Sequence, residues 1–205
     1  MIDLAIEGGV WTATINRPDK ANSLTAAMLG QLADIAERAG HEGARALVLT
    51  GAGRVFSAGA DLEEAHAGLA TSPLWERLSD AIAALPCLTI AALNGTIAGG
   101  AMGMALACDI RLSVPGARVF YPVMRLGFLP QASDVPRLRA LVGPSRAAMI
   151  LLSGQKIDVA EAMSWGLVDR VVETEALLPL AHSLAADSLA AAPAHAAAIK
   201  RMIWS

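Results

Sequence analysis

The stretch that decides the fold is residues 86–110, PCLTIAALNGTIAGGAMGMALACDI, which carries no charged side chain before Asp109. Its first part, 88–93, has the apolar composition of a buried strand, and Asn94-Gly95 is a turn signal. Residues 99–108 then predict a helix of small side chains. Gly99 and Gly100 fall where that helix begins, at amides that have no acceptor within the helix. Such amides favour an anion, or an oxygen that becomes anionic.

An uncharged run of this length is also compatible with a membrane-spanning helix. Gly95, Gly99 and Gly103 even follow the small-xxx-small pattern of packed membrane helices. The flanking charges are Asp80 and Asp109, however, rather than clusters of Lys and Arg, and the turn signal interrupts the run. A membrane-embedded protein is therefore kept as the less favoured alternative.

Composition predicts one domain over residues 1–205, because no polar linker or charge run divides the chain. Hydrophobic residues make up 55% and aromatic residues only 4%, which indicates an aliphatic core of helices over a sheet. The net charge of -3 means that basic residues are not in excess, which argues against a nucleic-acid partner. Cys87 and Cys108 lie in apolar surroundings, typical of buried thiols in a reducing compartment. Because the first residues lack a signal-peptide pattern, we expect a cytoplasmic protein.

The chain begins with two alternating segments, 2–7 and 10–15, joined by Gly8-Gly9, which predicts a β-hairpin. A helix from near Thr25 to Gly40 and a buried strand at 45–50 follow, and this order predicts a parallel pairing. A small-residue loop at 51–61 leads into a helix after Asp61. A short strand is predicted at 111–114, and helices are predicted from Ser72-Pro73 to Pro86 and at 135–142, 145–152, 159–165, 177–191 and 194–204.

Several segments together resemble one known family. They are Arg17-Pro18 with Ala21-Asn22-Ser23-Leu24, then FSAGADL at 56–62, Asn94-Gly95 with Ala98-Gly99-Gly100, ACDI at 107–110, and LVG at 141–143 with AMSWGLVD at 162–169. In this order and at nearly this spacing, the set is similar to the crotonase superfamily, the enoyl-CoA hydratase/isomerase family. The resemblance covers the chain to about Lys200.

The resemblance implies an α/β fold, a crotonase-like spiral of ββα units with a shortened helical C-terminal region. The spiral core would take in about residues 1–170 and the C-terminal helices about 171–205. It also implies a homo-trimer or hexamer, and an acyl-CoA substrate whose coenzyme A is the only cofactor, with none bound permanently. The thioester oxygen would lie between the backbone amides of Ala60 and Gly100. The residues expected beside the substrate are Ala58, Asp61, Gly99, Gly103, Val123 and Gln131.

A loop near the N-terminus resembles the family's CoA-binding edge and contains Arg17, Lys20, Ala21 and Asn22. Its two basic side chains are of the type that binds nucleotide phosphates. An ordinary solvated loop explains the same residues equally well. Both interpretations stay open on the sequence alone.

The sequence departs from the family where hydratases carry two glutamates, because Gly103 and Val123 occupy those places. Gln131 occupies a third place, where some isomerases have an aspartate. None of these side chains transfers a proton near neutral pH, and no spacing of histidines or cysteines predicts a metal site. Ordinary hydration is therefore not expected from this chain.

Asp134 is the tentative acid or base, one helical turn beyond Gln131. Its competing interpretation, which the sequence favours, is a helix cap, because Ser133 and Asp134 precede a helix. Packing is the favoured role for Tyr121, and exposure to solvent for Glu63, Glu64 and His66. The sequence as a whole predicts an acyl-CoA enzyme that stabilises an enolate and catalyses isomerisation, decarboxylation or thioester cleavage. A non-catalytic acyl-CoA-binding protein is the alternative.

Overall fold

A computed structural model describes residues 1–204 of the chain. Its larger sheet has six strands in the order β1-β2-β3-β5-β7-β10. The hairpin β1–β2 is antiparallel, and each of the other neighbours is parallel. The strands are β1 (Ile2–Glu7), β2 (Val10–Ile15), β3 (Ala46–Gly51), β5 (Leu88–Leu93), β7 (Ile110–Ser113) and β10 (Arg170–Val171).

A second, smaller sheet has the order β4-β6-β8-β9. Its strands are β4 (Val55–Ser57), β6 (Thr96–Ala98), β8 (Arg118–Phe120) and β9 (Ile157–Asp158). β4, β6 and β8 run parallel, and β9 pairs antiparallel with β8. β4 and β6 each follow a strand of the larger sheet after a turn, so the chain repeatedly passes from the large sheet to the small one.

Helices cover the sheets and dominate the second half of the chain. The helices are α1 (Ala26–His41), α2 (Leu62–His66), α3 (Leu74–Ala83), α4 (Met102–Leu106), α5 (Val123–Leu126), α6 (Asp134–Val142), α7 (Pro144–Leu151), α8 (Val159–Ser164), α9 (Thr174–Leu184), α10 (Ala186–Ala190) and α11 (Pro193–Trp204). The core between helices and sheets is mostly aliphatic. Both cysteines are buried and free, and burial raises the pKa of Cys108 to about 12.

Most predicted elements are confirmed, including the hairpin, α1, and the parallel pairing of β2 with β3, and the structure adds that Thr25 caps α1. The decisive stretch forms β5, the turn at Asn94-Gly95, β6, a 3-10 turn at Gly99–Ala101 and α4. Within residues 1–204, no helix is both long and apolar enough to span a bilayer. The predicted helix 177–191 is interrupted at Ala185 and forms α9 and α10.

The small sheet was not predicted from the sequence. The sequence predicts a loop at residues 51–61, yet they contain β4, and the short helix α5 was not predicted. Strands of two or three residues are too short to show an alternating pattern. They form because their backbone groups pair with neighbours that are distant in sequence.

Candidate active site

A cavity of about 210 Å³ opens beside the carboxyl ends of β4, β6 and β8. Parallel pairing explains why segments distant in sequence meet there, since Ser57 pairs with Ile97 and Ala98 pairs with Phe120. The residues that follow these strands therefore lie side by side. The wall is mainly apolar and consists of Ala58, Ala60, Leu62, Ala65, Ala70, Trp75, Gly99, Gly100, Tyr121, Pro122, Val123, Leu126, Phe128, Leu129 and Gln131.

Two glycine-containing loops touch through their backbones at one side of this cavity. Gly59 has φ +94°, and a Cβ on it would lie 2.9 Å from the carbonyl oxygen of Ala98. Gly99 has φ +57°, and its own Cβ would lie 3.8 Å from the Gly59 Cα. Both positions need glycine, because L side chains rarely adopt this backbone conformation and there is no space for one at Gly59. The contact fixes the distance between the two loops.

Each loop presents one backbone amide that is not used by the fold. The Gly59 amide donates to Ser57 Oγ and the Asp61 amide donates to the Leu24 carbonyl, whereas the Ala60 amide between them has no acceptor within residues 1–204. Gly100 lies in the first turn of the 3-10 segment Gly99–Ala101, where an amide has no acceptor inside the segment. The Trp75 ring packs against Gly100, where an added Cβ would lie 3.1 Å from it.

Side chains from the N-terminal loop support the Ala60 loop. The guanidinium of Arg17 donates to Asp61 Oδ2 at 2.7 Å, and this hydrogen bond holds the pKa of Asp61 below its usual range. Asp61 also caps α2 by accepting from the amides of Glu63 and Glu64. The positive charge of Arg17 is thus already paired, which reduces its use for a phosphate group.

The side chain of Asn22, in the loop expected to bind CoA, is used by the fold itself. Asn22 is fully buried, accepts from the Arg17 amide and donates to the carbonyl oxygens of Ala52 and Val55. These hydrogen bonds join the N-terminal loop to the chain between β3 and the first residue of β4. Lys20 is exposed and Ala21, with φ 50°, is partly exposed, so a CoA contact at these two residues stays a prediction.

The interpretation of Asp134 as a helix cap is wrong. Its side chain accepts no backbone hydrogen bond at the start of α6, where Glu76 Oε1 instead accepts from the Ser133 amide at 2.9 Å. Asp134 is 1% exposed, and its Oδ2 lies 2.8 Å from the hydroxyl of Tyr121. Its Oδ1 is buried without a hydrogen-bond partner among the described residues.

Burial raises the pKa of Asp134 to about 6, although the hydrogen bond from Tyr121 acts in the opposite direction. The nearby charge of Glu76 also raises this pKa, and the charge of Arg137 lowers it. Burial likewise raises the pKa of Tyr121, which stays protonated. Tyr121 therefore serves as a hydrogen-bonding group, and Asp134 changes its protonation state near neutral pH.

Comparison with known proteins decides the family. The sequence pattern of the family described as enoyl-CoA hydratase/isomerase matches residues 5–204. The chain belongs to the enoyl-CoA hydratase/isomerase family. It is 33% identical over 190 residues to the 1,2-epoxyphenylacetyl-CoA isomerase of Escherichia coli, a match that covers 88% of this chain and 72% of that protein.

Solved structures of the family have the same fold. An enoyl-CoA hydratase from Bacillus anthracis superposes with a TM-score of 0.92 at 31% identity, covering 100% of this chain and 82% of that one. An enoyl-CoA hydratase/isomerase from Pseudoalteromonas atlantica gives 0.91 at 32% identity, with coverages of 98% and 82%. The expected crotonase fold is confirmed.

The three positions expected to bear the family's acids lie in different surroundings. Val123 and Gln131 line the cavity, and neither side chain is acidic. Gly103 is buried in α4, and an added Cβ would lie 2.7 Å from both Asp134 Oδ1 and Ser79 Oγ. The carboxyl of Asp134 thus occupies the space next to Gly103, and Gly103 does not line the cavity within the described residues.

The other acidic candidates are engaged elsewhere or exposed. Glu64 Oε2 accepts from the Ala26 amide at 2.6 Å and so caps α1. Glu63 and His66 are exposed on α2. The Tyr121–Asp134 pair was missed as a unit because the two residues are 13 positions apart and one lies in a loop. The only signal in the sequence was an aspartate at a helix start, which is a pattern typical of a cap.

Proposed function

We propose that this chain is an acyl-CoA enzyme that stabilises a thioester enolate between the Ala60 and Gly100 amides. The observation that carries the proposal is the contact of the two glycine loops, which sets two unused amides at one wall of an apolar cavity. A backbone amide held in place costs no reorganisation when negative charge develops on the oxygen, and each such donor is worth about 3 to 4 kcal/mol. Ala58 and Gly99 would lie against the thioester from the same loops.

The reaction that fits best is isomerisation, decarboxylation or thioester cleavage rather than hydration. Hydration of an enoyl thioester needs groups that activate water and supply a proton, and the cavity wall has Val123 and Gln131 where acids were expected. The family members compared above are named as both hydratases and isomerases, so the choice rests on the side chains of this site. A non-catalytic acyl-CoA-binding protein is the second candidate, favoured by the absence of an acidic side chain among the described residues that line the cavity.

The test is an assay of the purified chain against crotonyl-CoA and a panel of short acyl-CoA esters, with binding measured separately. We expect micromolar to millimolar binding, and hydration of crotonyl-CoA slower by about 10²–10⁴-fold for each missing acid or base than in a two-glutamate relative. Hydration as fast as in that relative would contradict the assignment. Binding without turnover of any ester would favour the binding protein. That the chain forms a homo-trimer or hexamer, and that it is located in the cytoplasm, both stay predictions.

A further inference from the structure

The hydroxyl of Tyr121 lies between the cavity wall and a buried acid. Tyr121 and Gln131 both line the cavity, and the hydroxyl is 2.8 Å from Gln131 Oε1. On the other side it is 2.8 Å from Asp134 Oδ2. Asp134 itself does not line the cavity within the described part of the chain. Any exchange of a proton between Asp134 and the cavity along these hydrogen bonds therefore passes through this hydroxyl.

The direction in which the Tyr121 hydroxyl donates its hydrogen depends on the protonation state of Asp134. A phenol has one hydrogen to donate, yet two acceptor oxygens lie at equal distance. When Asp134 is neutral, its O–H donates to Tyr121 and Tyr121 donates to Gln131. When Asp134 is ionised, Tyr121 turns its hydrogen towards the carboxylate. The two states differ by the transfer of one proton and the rotation of one hydroxyl.

A purely structural role for the Tyr121–Asp134 pair does not explain the other surroundings of Asp134. A buried carboxylate is normally satisfied by several donors, but Asp134 Oδ1 has none within residues 1–204. The titratable or charged groups that face Asp134 are Tyr121, Glu76 and Arg137. Arg137 is drawn towards Ser133 Oγ and Asp80 instead of pairing directly with Asp134. The fold thus keeps the Asp134 carboxyl next to the cavity with few hydrogen-bond donors and no direct ion pair to stabilise its charge.

We propose that Tyr121 is a catalytic residue that carries protons between the α-carbon of a bound acyl thioester and the buried Asp134. In the forward step, the α C–H bond breaks and its electrons form the enolate, whose oxygen lies at the Ala60 and Gly100 amides. The released proton joins the Tyr121 oxygen as the phenol proton moves to Asp134 Oδ2. The reverse sequence returns a proton to carbon, so the tyrosine is never left ionised. Asp134, which acts through Tyr121, is a positioning residue.

This inference rests on the proposed acyl-CoA function and is tested by isotope exchange. Butyryl-CoA is incubated with the protein in D2O, and deuterium at its α-carbon is measured by mass spectrometry, while calorimetry measures butyryl-CoA binding. We expect Tyr121→Phe and Asp134→Asn to lower exchange by about 10²–10⁴-fold and to change the Kd by less than about threefold. Thr50→Val removes a buried hydroxyl in the large sheet and is the matched control, with exchange expected to equal the wild type.

The pH profile separates the proposed role of Asp134 from a structural one. Exchange by the wild type should rise through about pH 6 and then level off, and Asp134→Asn should remove this inflection. Exchange by Tyr121→Phe at the wild-type rate, or an unchanged profile in Asp134→Asn, would overturn the relay. Binding of butyryl-CoA without exchange by the wild type would overturn the relay alone. No binding at all would overturn the proposed function as well.

Discussion

The carboxyl of Asp134 is buried with one hydrogen bond, whereas water would satisfy all its acceptor sites. Its ionised form is therefore the costly one in the folded protein, and its pKa is raised to about 6. Below the pKa of the unfolded chain the group is neutral in both states and costs nothing. As pH rises through about 6, the folded state must carry a poorly solvated charge and stability is lost.

Replacing this acid by its neutral isostere is expected to stabilise the protein at neutral and alkaline pH. Because one pKa unit corresponds to about 1.4 kcal/mol, Asp134→Asn should raise the free energy of unfolding by about 1 to 3 kcal/mol at about pH 8. The gain should vanish near pH 4. Urea denaturation at the two pH values measures both effects.

An exposed aspartate provides the control for that comparison. Asp187 lies on the surface of α10, and Asp187→Asn should stay within about 0.5 kcal/mol of the wild type at both pH values. A destabilised Asp134→Asn at about pH 8 would mean that the carboxylate is better compensated than the geometry indicates. The relay through Tyr121 would then lose its physical basis.

At the scale of elements, the site depends on the contact between the loops that follow β4 and β6. Gly59 is in the left-handed region, and a methyl group there would meet the Ala98 carbonyl at 2.9 Å. Gly116, between β7 and β8, has a similar φ of +78° but nothing within 4 Å of an added Cβ. Comparing substitutions at the two glycines therefore distinguishes the cost of backbone strain from the cost of losing the loop contact.

Alanine at these two glycines is expected to give different outcomes. Gly116→Ala should cost about 1 kcal/mol, which is the strain of a left-handed alanine. Gly59→Ala should cost about 1 to 3 kcal/mol more and weaken butyryl-CoA binding by about tenfold or more, because the Ala60 amide shifts with its loop. Thermal denaturation and calorimetry give both numbers. Equal losses of stability, with equal binding, would show that the loop contact does not set the site.

The elements also show where sequence-based prediction succeeds and where it fails. The hairpin, β3, β5 and most helices were predictable because each is long enough to display its own period or turn signal. β4, β6, β8 and β9 have two or three residues and depend on distant partners. The loops at 58–60 and 99–100 were still found, because glycine marks a backbone constraint that a resemblance to a family can place.

At the scale of the whole molecule, the C-terminal helix is tied to the large sheet. Lys200 on α11 lies 2.8 Å from Asp109 Oδ2 and 2.9 Å from the carbonyl oxygen of Cys87, next to β5 and β7. The indole nitrogen of Trp204 donates to the other oxygen of Asp109. These contacts join residues more than 90 positions apart, and helical periodicity alone gave no sign of them.

The chemistry of the site was less predictable than its location. Aligned motifs indicated the two glycine turns that the structure brings together beside the cavity, whereas their role as an oxyanion site and the loss of the family's acids stay proposals. The sequence misjudged Asp134, since capping is a local rule whereas the observed burial comes from packing α6 against α4 and Tyr121. The structural role of the Asn22 side chain was likewise not predictable, because its hydrogen bonds go to residues about 30 positions away.

The central claim is that one thioester oxygen lies between the amides of Ala60 and Gly100. A crystal structure of the protein with butyryl-CoA tests it most directly. The account predicts the thioester carbonyl oxygen at about 2.7 to 3.1 Å from both backbone nitrogens, with the acyl chain in the apolar cavity and Tyr121 beside the α-carbon. A bound thioester whose carbonyl oxygen lies away from these two amides would contradict it.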